Sequence, residues 1–167
     1  GALCFVGILV LVAGGPALFS NGTKDLVAVA LAHGLTIAVM VSATMHVSGG
    51  QLNPVVTAAL VLARKIPFGQ AVCNIAAQVC GATIGALVAK VAVGGSIVAG
   101  IPALGSGVTT GQGIVTEAAL TFLLVFVVFG TAVDHRFGGR LGGLAIGCTV
   151  ALDILAGGPI TGAAMNT

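Results

Sequence analysis

The sequence predicts an all-α polytopic membrane protein, an inverted repeat of spanning helices with short half-helices that stop at the midplane. Three observations carry this. Of 167 residues, 57% are hydrophobic and 6% are charged, with a mean hydropathy of +1.19. Surface-to-volume scaling gives a soluble domain of this size no way to hide that much apolar surface. Between two long apolar runs lies Ser48-Gly49-Gly50-Gln51-Leu52-Asn53-Pro54, a turn followed by a helix start too short to cross a bilayer. The chain also matches itself at an offset of 113 residues. Two function classes are excluded at once. A net charge of +2 implies no nucleic-acid partner, and no nucleophile–base pair or metal-ligand spacing points to an enzyme or a bound cofactor.

The elements follow in chain order. A first span is expected over residues 2–19; no basic residue precedes it, which argues against a secretory signal, and the opening Gly implies an earlier start. Asn21 to Asp25 is a polar turn, and the second span runs from Leu26 to about Met45. Asn53 is a favoured N-cap, and Pro54 suits the first helical position because its missing N–H costs nothing there. The half-helix is predicted over Pro54 to Arg64. At about 1.5 Å per residue, it covers roughly half of a ~30 Å hydrocarbon core. Pro67 breaks the chain, and the third span covers Gln70 to Val93 with Gly81 and Gly85 as a packing face. After a Gly-rich loop come a fourth span, Gln112 to Val133, and a fifth, Leu141 to Ala156. From Gly157 onward the sequence reads as a second loop entering a helix that would begin at Asn166. Cys4, Cys73, Cys80 and Cys148 lie within apolar runs and are expected to be small buried hydrophobes.

At the 113-residue offset, positions 31 to 53 match 144 to 166 without a gap, with 8 identities in 23. The match ends on Asn53 and Asn166. The whole chain is thus one channel domain, with a first repeat over about 1–93 and a second, incomplete one over about 112–167. Three spans separate equivalent points, so the two repeats must point in opposite directions. Ala30, Gly34 and Ala38 align with Gly143, Gly147 and Ala151 as small-residue stripes suited to close helix approach. Arg64, Lys65, Arg136 and Arg140 fall on one side of this threading, and Lys24 and Lys90 on the other, which expects a cytoplasmic N-terminus.

Half-helices entering from opposite faces bring both N-termini to the midplane. Each offers unpaired N–H groups and about half a positive charge from the helix dipole. That field repels protons and cations, while asparagine amides can donate to a neutral solute.

Ser-Gly-Gly-x-Leu-Asn-Pro-x-Val-Thr, followed by Gly-Gly-Pro-x-Thr-Gly-Ala-x-Met-Asn, resembles the two signature loops of the major intrinsic proteins, the aquaporins and glycerol facilitators. The resemblance implies a homotetrameric passive channel in a lipid bilayer, bacterial inner, plasma or vacuolar, without cofactor or metal. It makes Asn53 and Asn166 the paired pore asparagines, with Pro54 and Val55 completing the first motif. It places His33, Ile154 and Ala163 at the selectivity filter and His46 on the pore wall. It gives Glu117 a structural role, accepting N–H bonds from the second pore loop. The filter looks most like that of vacuolar-type plant channels. The strictest water channels usually carry His at the Ile154 position, and its replacement by Ile implies passage of ammonia, urea or hydrogen peroxide beside water. Departures are Val55 for the usual Ala, Gln51 where His is common, and Thr167 for the Pro expected after Asn166.

Glu117 and Asp153 are acids within predicted spans and so functional suspects. Asp153 stands where the family usually has a neutral residue and is expected to face protein. The alternatives are a glycerol facilitator, weaker because Ile154 is not small, and a fragment of an ion-coupled transporter, for which Asp153 is the one candidate ligand.

Overall fold

The computed structural model describes residues 23–93, 102–134, 136 and 141–165. The first predicted span, Cys4, Arg140, Asn166 and Thr167 lie outside the described residues. The described elements are α1 (Thr23–Ser48), α2 (Pro54–Leu62), α3 (Phe68–Val93), α4 (Thr110–Val128), a π-helical turn (Phe129–Val133) and α5 (Gly142–Thr161). Four of the described helices, α1, α3, α4 with its π extension, and α5, are long and apolar enough to cross a membrane. The fold is all-helical among the described residues, as the sequence predicts.

Two boundaries differ from the expectation, each for a local reason. The half-helix ends at Leu62 rather than Arg64, because Arg64 turns into the left-handed region with φ 56°. The fifth span does not stop at Ala156. It continues through Gly157, Gly158 and Pro159 to Thr161, where Gly162 at φ 86° terminates it. A proline inside a membrane helix leaves one carbonyl unpaired, which neighbouring elements can tolerate. The second loop therefore starts at Gly162 rather than Gly157, and its described part is Gly162 to Met165.

Among the described elements α1 and α5 form the most extensive helix pair, and glycine decides how close they come. A Cβ on Gly34 would fall 2.5 Å from Gly147 O and 2.7 Å from Ala151 Cβ. A Cβ on Gly147 would in turn collide with Gly34 O and lie 2.6 Å from Ala38 Cβ. The two collisions are reciprocal: adding 113 to Gly34 and Ala38 yields Gly147 and Ala151. In lipid, helix association rests on such van der Waals approach, because there is no apolar surface to hide from water. The small-residue stripes read from the sequence thus sit face to face.

The buried cluster joins Ala30 and Val41 of α1, Val56 and Leu60 of α2, and Leu120, Leu124 and Val128 of α4. Ile146, Val150 and Ile154 of α5 and Ala163 and Met165 of the second loop complete it. α2 is therefore wedged among longer helices rather than lying on their surface. Outward faces are apolar too, including Val72, Val79, Ile84 and Leu87 on α3 and Phe122 and Phe126 on α4. Cys73, Cys80 and Cys148 are exposed and unpaired, which corrects the expectation that they are buried. Facing lipid, a weakly polar thiol needs no protein cover. Gly81 and Gly85, by contrast, are buried as predicted.

Gly→Ala in a helix normally stabilises by up to about 1 kcal/mol. Gly111→Ala, with open space around its Cβ, is expected to do so or be neutral. Gly34→Ala and Gly147→Ala should each destabilise by about 1–3 kcal/mol through overpacking. The double variant should cost less than the sum, because the first collision already separates the helices. Thermal unfolding of the four variants in detergent checks this.

Candidate functional site

The site is built from two loops that meet inside the helix cluster. The first begins where α1 ends. Gly49 and Gly50 adopt φ 82° and 64°, and Gly50 lies so close to Val41 and Met45 that a Cβ would approach their atoms to 3.2 and 3.3 Å. These glycines turn the chain back under α1 and deliver Asn53. Its backbone is extended at φ −138°, and its Oδ1 accepts from Val55 N at 2.8 Å, capping α2. Pro54 occupies the first helical turn as predicted. Val55 contributes that capping N–H; its side chain is half-buried.

The other end of the Asn53 amide crosses to the second loop: Nδ2 donates to Met165 O at 2.6 Å. This bond spans 112 residues of sequence and joins the loop after α1 to the loop after α5. The second Nδ2 hydrogen meets no partner among the described residues. Asn166 itself lies outside the described residues, but its preceding carbonyl is the one that Asn53 grips.

The second loop is conformationally unusual. Gly162, Ala163 and Met165 all have positive φ, at 86°, 50° and 47°. Two non-glycine residues in that region cost about 1–3 kcal/mol each. Glu117 on α4 offsets the cost. Its Oε1 accepts from Thr161 Oγ1 and from Ala164 N at 3.1 Å, and its Oε2 accepts from Met165 N at 2.9 Å. Bonds to an ionised group contribute about 1.5–3 kcal/mol each, so three outweigh two strained residues. Thr161 Oγ1 also accepts from Ala163 N at 3.2 Å. With those N–H groups turned to Thr161 and Glu117, the carbonyls of Gly162, Ala163 and Ala164 accept no hydrogen bond from a described residue.

The remaining predicted positions are as follows. Ile154 and Ala163 are buried in the same cluster, 5% and 4% exposed. His33 is half-buried on α1 and its Nδ1 donates to Val29 O at 2.9 Å, while its Nε2 meets no hydrogen-bond partner among the described residues. No described contact joins His33 to Ile154 or Ala163. His46 is exposed in the last turn of α1. Asp153 is 1% exposed, and its Oδ2 meets no hydrogen-bond partner among the described residues. It faces protein.

The sequence reading missed the amides that hold the first loop. Asn74 Nδ2 donates to Gln51 Oε1 at 3.0 Å, and Gln78 Nε2 donates to Gln51 O at 2.6 Å and to Thr57 Oγ1 at 3.0 Å. A signal existed: Asn74 and Gln78 are polar residues one turn apart inside an apolar span.

Glu117→Gln keeps the shape of the side chain but points an NH2 group at a ring of donors. It is expected to destabilise the protein by about 2–4 kcal/mol and to expose the second loop, while Thr161→Val should cost about 1 kcal/mol. Denaturant unfolding in detergent, paired with limited proteolysis around residues 162–165, measures both.

Residues 2–167 match the family model described as major intrinsic protein. The chain is 48% identical over 145 residues to aquaporin TIP4-4 of Zea mays, covering 84% of this chain and 56% of that one. It is 42% identical over 149 residues to aquaporin NIP1-1 of Oryza sativa subsp. japonica, covering 87% and 51%. The chain spans about half the length of these curated relatives. Its fold is similar to the X-ray structure of the aquaglyceroporin from Plasmodium falciparum, with a TM-score of 0.77 and 22% identity over 99% of this chain and 74% of that one. With its spanning helices, its half-helix and its two joined loops, this chain belongs to the major intrinsic protein family.

Proposed function

We propose that the protein is a passive transmembrane channel for water, with small neutral solutes such as ammonia, urea or hydrogen peroxide as further permeants. The observation that carries this reading is the bond from Asn53 Nδ2 to Met165 O, which couples the capped start of a half-helix to a loop held in left-handed backbone. A solute at this junction meets the Asn53 amide hydrogen that no described residue engages and the carbonyls of Gly162, Ala163 and Ala164, which accept no hydrogen bond from a described residue; Asn166 is assigned the second pore amide from the 113-residue repeat alone. Donors and acceptors in alternation replace the hydrogen bonds that a water molecule leaves behind, so entry costs little. A cation gains no compensation from the positive end of the α2 dipole, which falls on the same point. Proton exclusion follows from the same field.

Selectivity among neutral solutes is assigned to His33, Ile154 and Ala163, with His46 on the wall toward the end of α1. His33 presents a ring nitrogen, Nε2, that no described residue engages, and Ile154 presents only methyl groups. The bulk of Ile154, compared with a small residue, favours water over glycerol. Asn53 and Asn166 serve as the paired pore asparagines, and Glu117 serves the pore by fixing the second loop. The two repeats are read as inverted about an axis near the Gly34–Gly147 contact, whose reciprocity supports that symmetry. The apolar outer faces suit lipid and sister protomers; we read the channel as a homotetramer because the family resemblance implies one, and its N-terminus as cytoplasmic because Arg64, Lys65, Arg136 and Arg140 outnumber Lys24 and Lys90. Conduction is downhill and calls for no chemistry from the protein.

Stopped-flow shrinkage of proteoliposomes holding the complete gene product tests the reading. Fast water efflux with no proton conductance is expected; water permeability equal to that of empty vesicles would overturn it. Ile154→His restores a polar group at the constriction. It is expected to lower the ammonia-to-water permeability ratio roughly tenfold, the scale on which one pocket group discriminates. An unchanged ratio would remove Ile154 from the filter.

A further inference from the structure

The two pore loops are not held alike. The second is gripped by a carboxylate, Glu117. The residue 113 places earlier is Cys4, so the sequence offers no acid at the equivalent place in the first repeat. A thiol cannot provide the charge-assisted bonds that Glu117 makes. Among the described residues the first loop is met from α3, by neutral amides.

Gln78 is 6% exposed, and its amide nitrogen lies against two oxygens, Gln51 O at 2.6 Å and Thr57 Oγ1 at 3.0 Å. Gln51 O is a carbonyl and can only accept, so the group facing it must be N–H, which fixes the orientation of the amide. Both Nε2 hydrogens are then engaged. Thr57, 0% exposed, accepts one of them and directs its own hydroxyl hydrogen to Asn53 O at 3.1 Å. The same carbonyl accepts Thr57 N at 3.0 Å. A continuous path therefore runs from Gln78 through Thr57 to the backbone of Asn53, and a second from Gln78 to the residue two before it.

We propose that Gln78 is a positioning residue for Asn53, setting the aim of the pore amide through Thr57 and the Gln51 carbonyl. It rests on the channel reading given above. Gln78 touches no permeating solute. By holding Thr57 and Gln51 it fixes the backbone on either side of Asn53, so that the Asn53 amide keeps one hydrogen on Met165 O and presents the other. Loss of this hold lets the amide swing, which lowers water flux and loosens discrimination together. A side chain that merely filled space would affect stability and leave discrimination untouched.

The test uses the complete gene product in proteoliposomes, with water and urea permeability measured side by side. Gln78→Met keeps the volume and removes both donors. Water permeability per inserted protein is expected to fall roughly five- to tenfold, the effect of one buried hydrogen bond, and the urea-to-water ratio is expected to rise. Thr57→Val should shift the ratio in the same direction, Thr57→Ser should retain the wild-type ratio, and the Gln78→Met/Thr57→Val double variant should be no worse than the stronger single one. Wild-type ratios in Gln78→Met and Thr57→Val, or strictly additive losses in the double variant, would overturn the proposal. Should Gln78→Met fail to reach the membrane, Thr57→Val against Thr57→Ser decides by itself: equal ratios overturn the proposal. A wild-type protein that conducts no water overturns the channel reading itself, an outcome distinct from variants that match a conducting wild type.

Discussion

The carboxylate of Glu117 is the interaction on which the arrangement of the centre depends. Three donors converge on it, one hydroxyl and two backbone N–H groups, and all three residues they belong to flank or occupy left-handed backbone. Without such an acceptor, buried N–H groups in an apolar core would each lack a partner, at a cost of about 1–3 kcal/mol. With it, the N–H groups of Ala164 and Met165 in the second loop find an acceptor within the protein. One carbonyl of that loop, Met165 O, then receives Asn53. The junction of the two loops is thus downstream of one half-buried carboxylate.

The rest of the molecule serves to bring the helices close enough for this junction to exist. α1 and α5 approach until the carbonyl oxygens of Gly34 and Gly147 stand where side chains would be. That approach places the loops after α1 and α5 side by side, and α2 fits between them with Val56 and Leu60 in the same buried cluster as Leu120 and Ile154. Membrane location makes such economy of side-chain volume decisive. Outside faces can be as apolar as inside ones, so only shape and hydrogen bonding distinguish the packed surface from the lipid surface. The exposed cysteines illustrate the point, since the same residue type in a water-soluble protein would be an inward-facing one.

Asp153 fits neither loop network. It is enclosed on α5 with Oδ2 meeting no described partner. Conduction as proposed here proceeds without it.

Composition and hydropathy alone determined that this chain crosses a membrane, because no soluble fold could cover so much apolar surface. Asn-Pro at a helix start, the small-residue stripes and the 113-residue offset determined where the half-helix begins and which helices touch. These were legible because caps, proline and glycine act locally or at fixed spacing. The end of α5 was not legible. Gly-Gly-Pro reads as a break in isolation, and only packing against Leu120, Leu26 and the loop around Gly105 carries the helix on to Thr161. The hold of Gln78 and Asn74 on the first loop, and the reach of Asn53 to Met165, were likewise decided by the tertiary structure. Hydrogen bonds between residues 21 to 112 positions apart leave no periodic trace in a sequence, because their geometry exists only once the helices are packed.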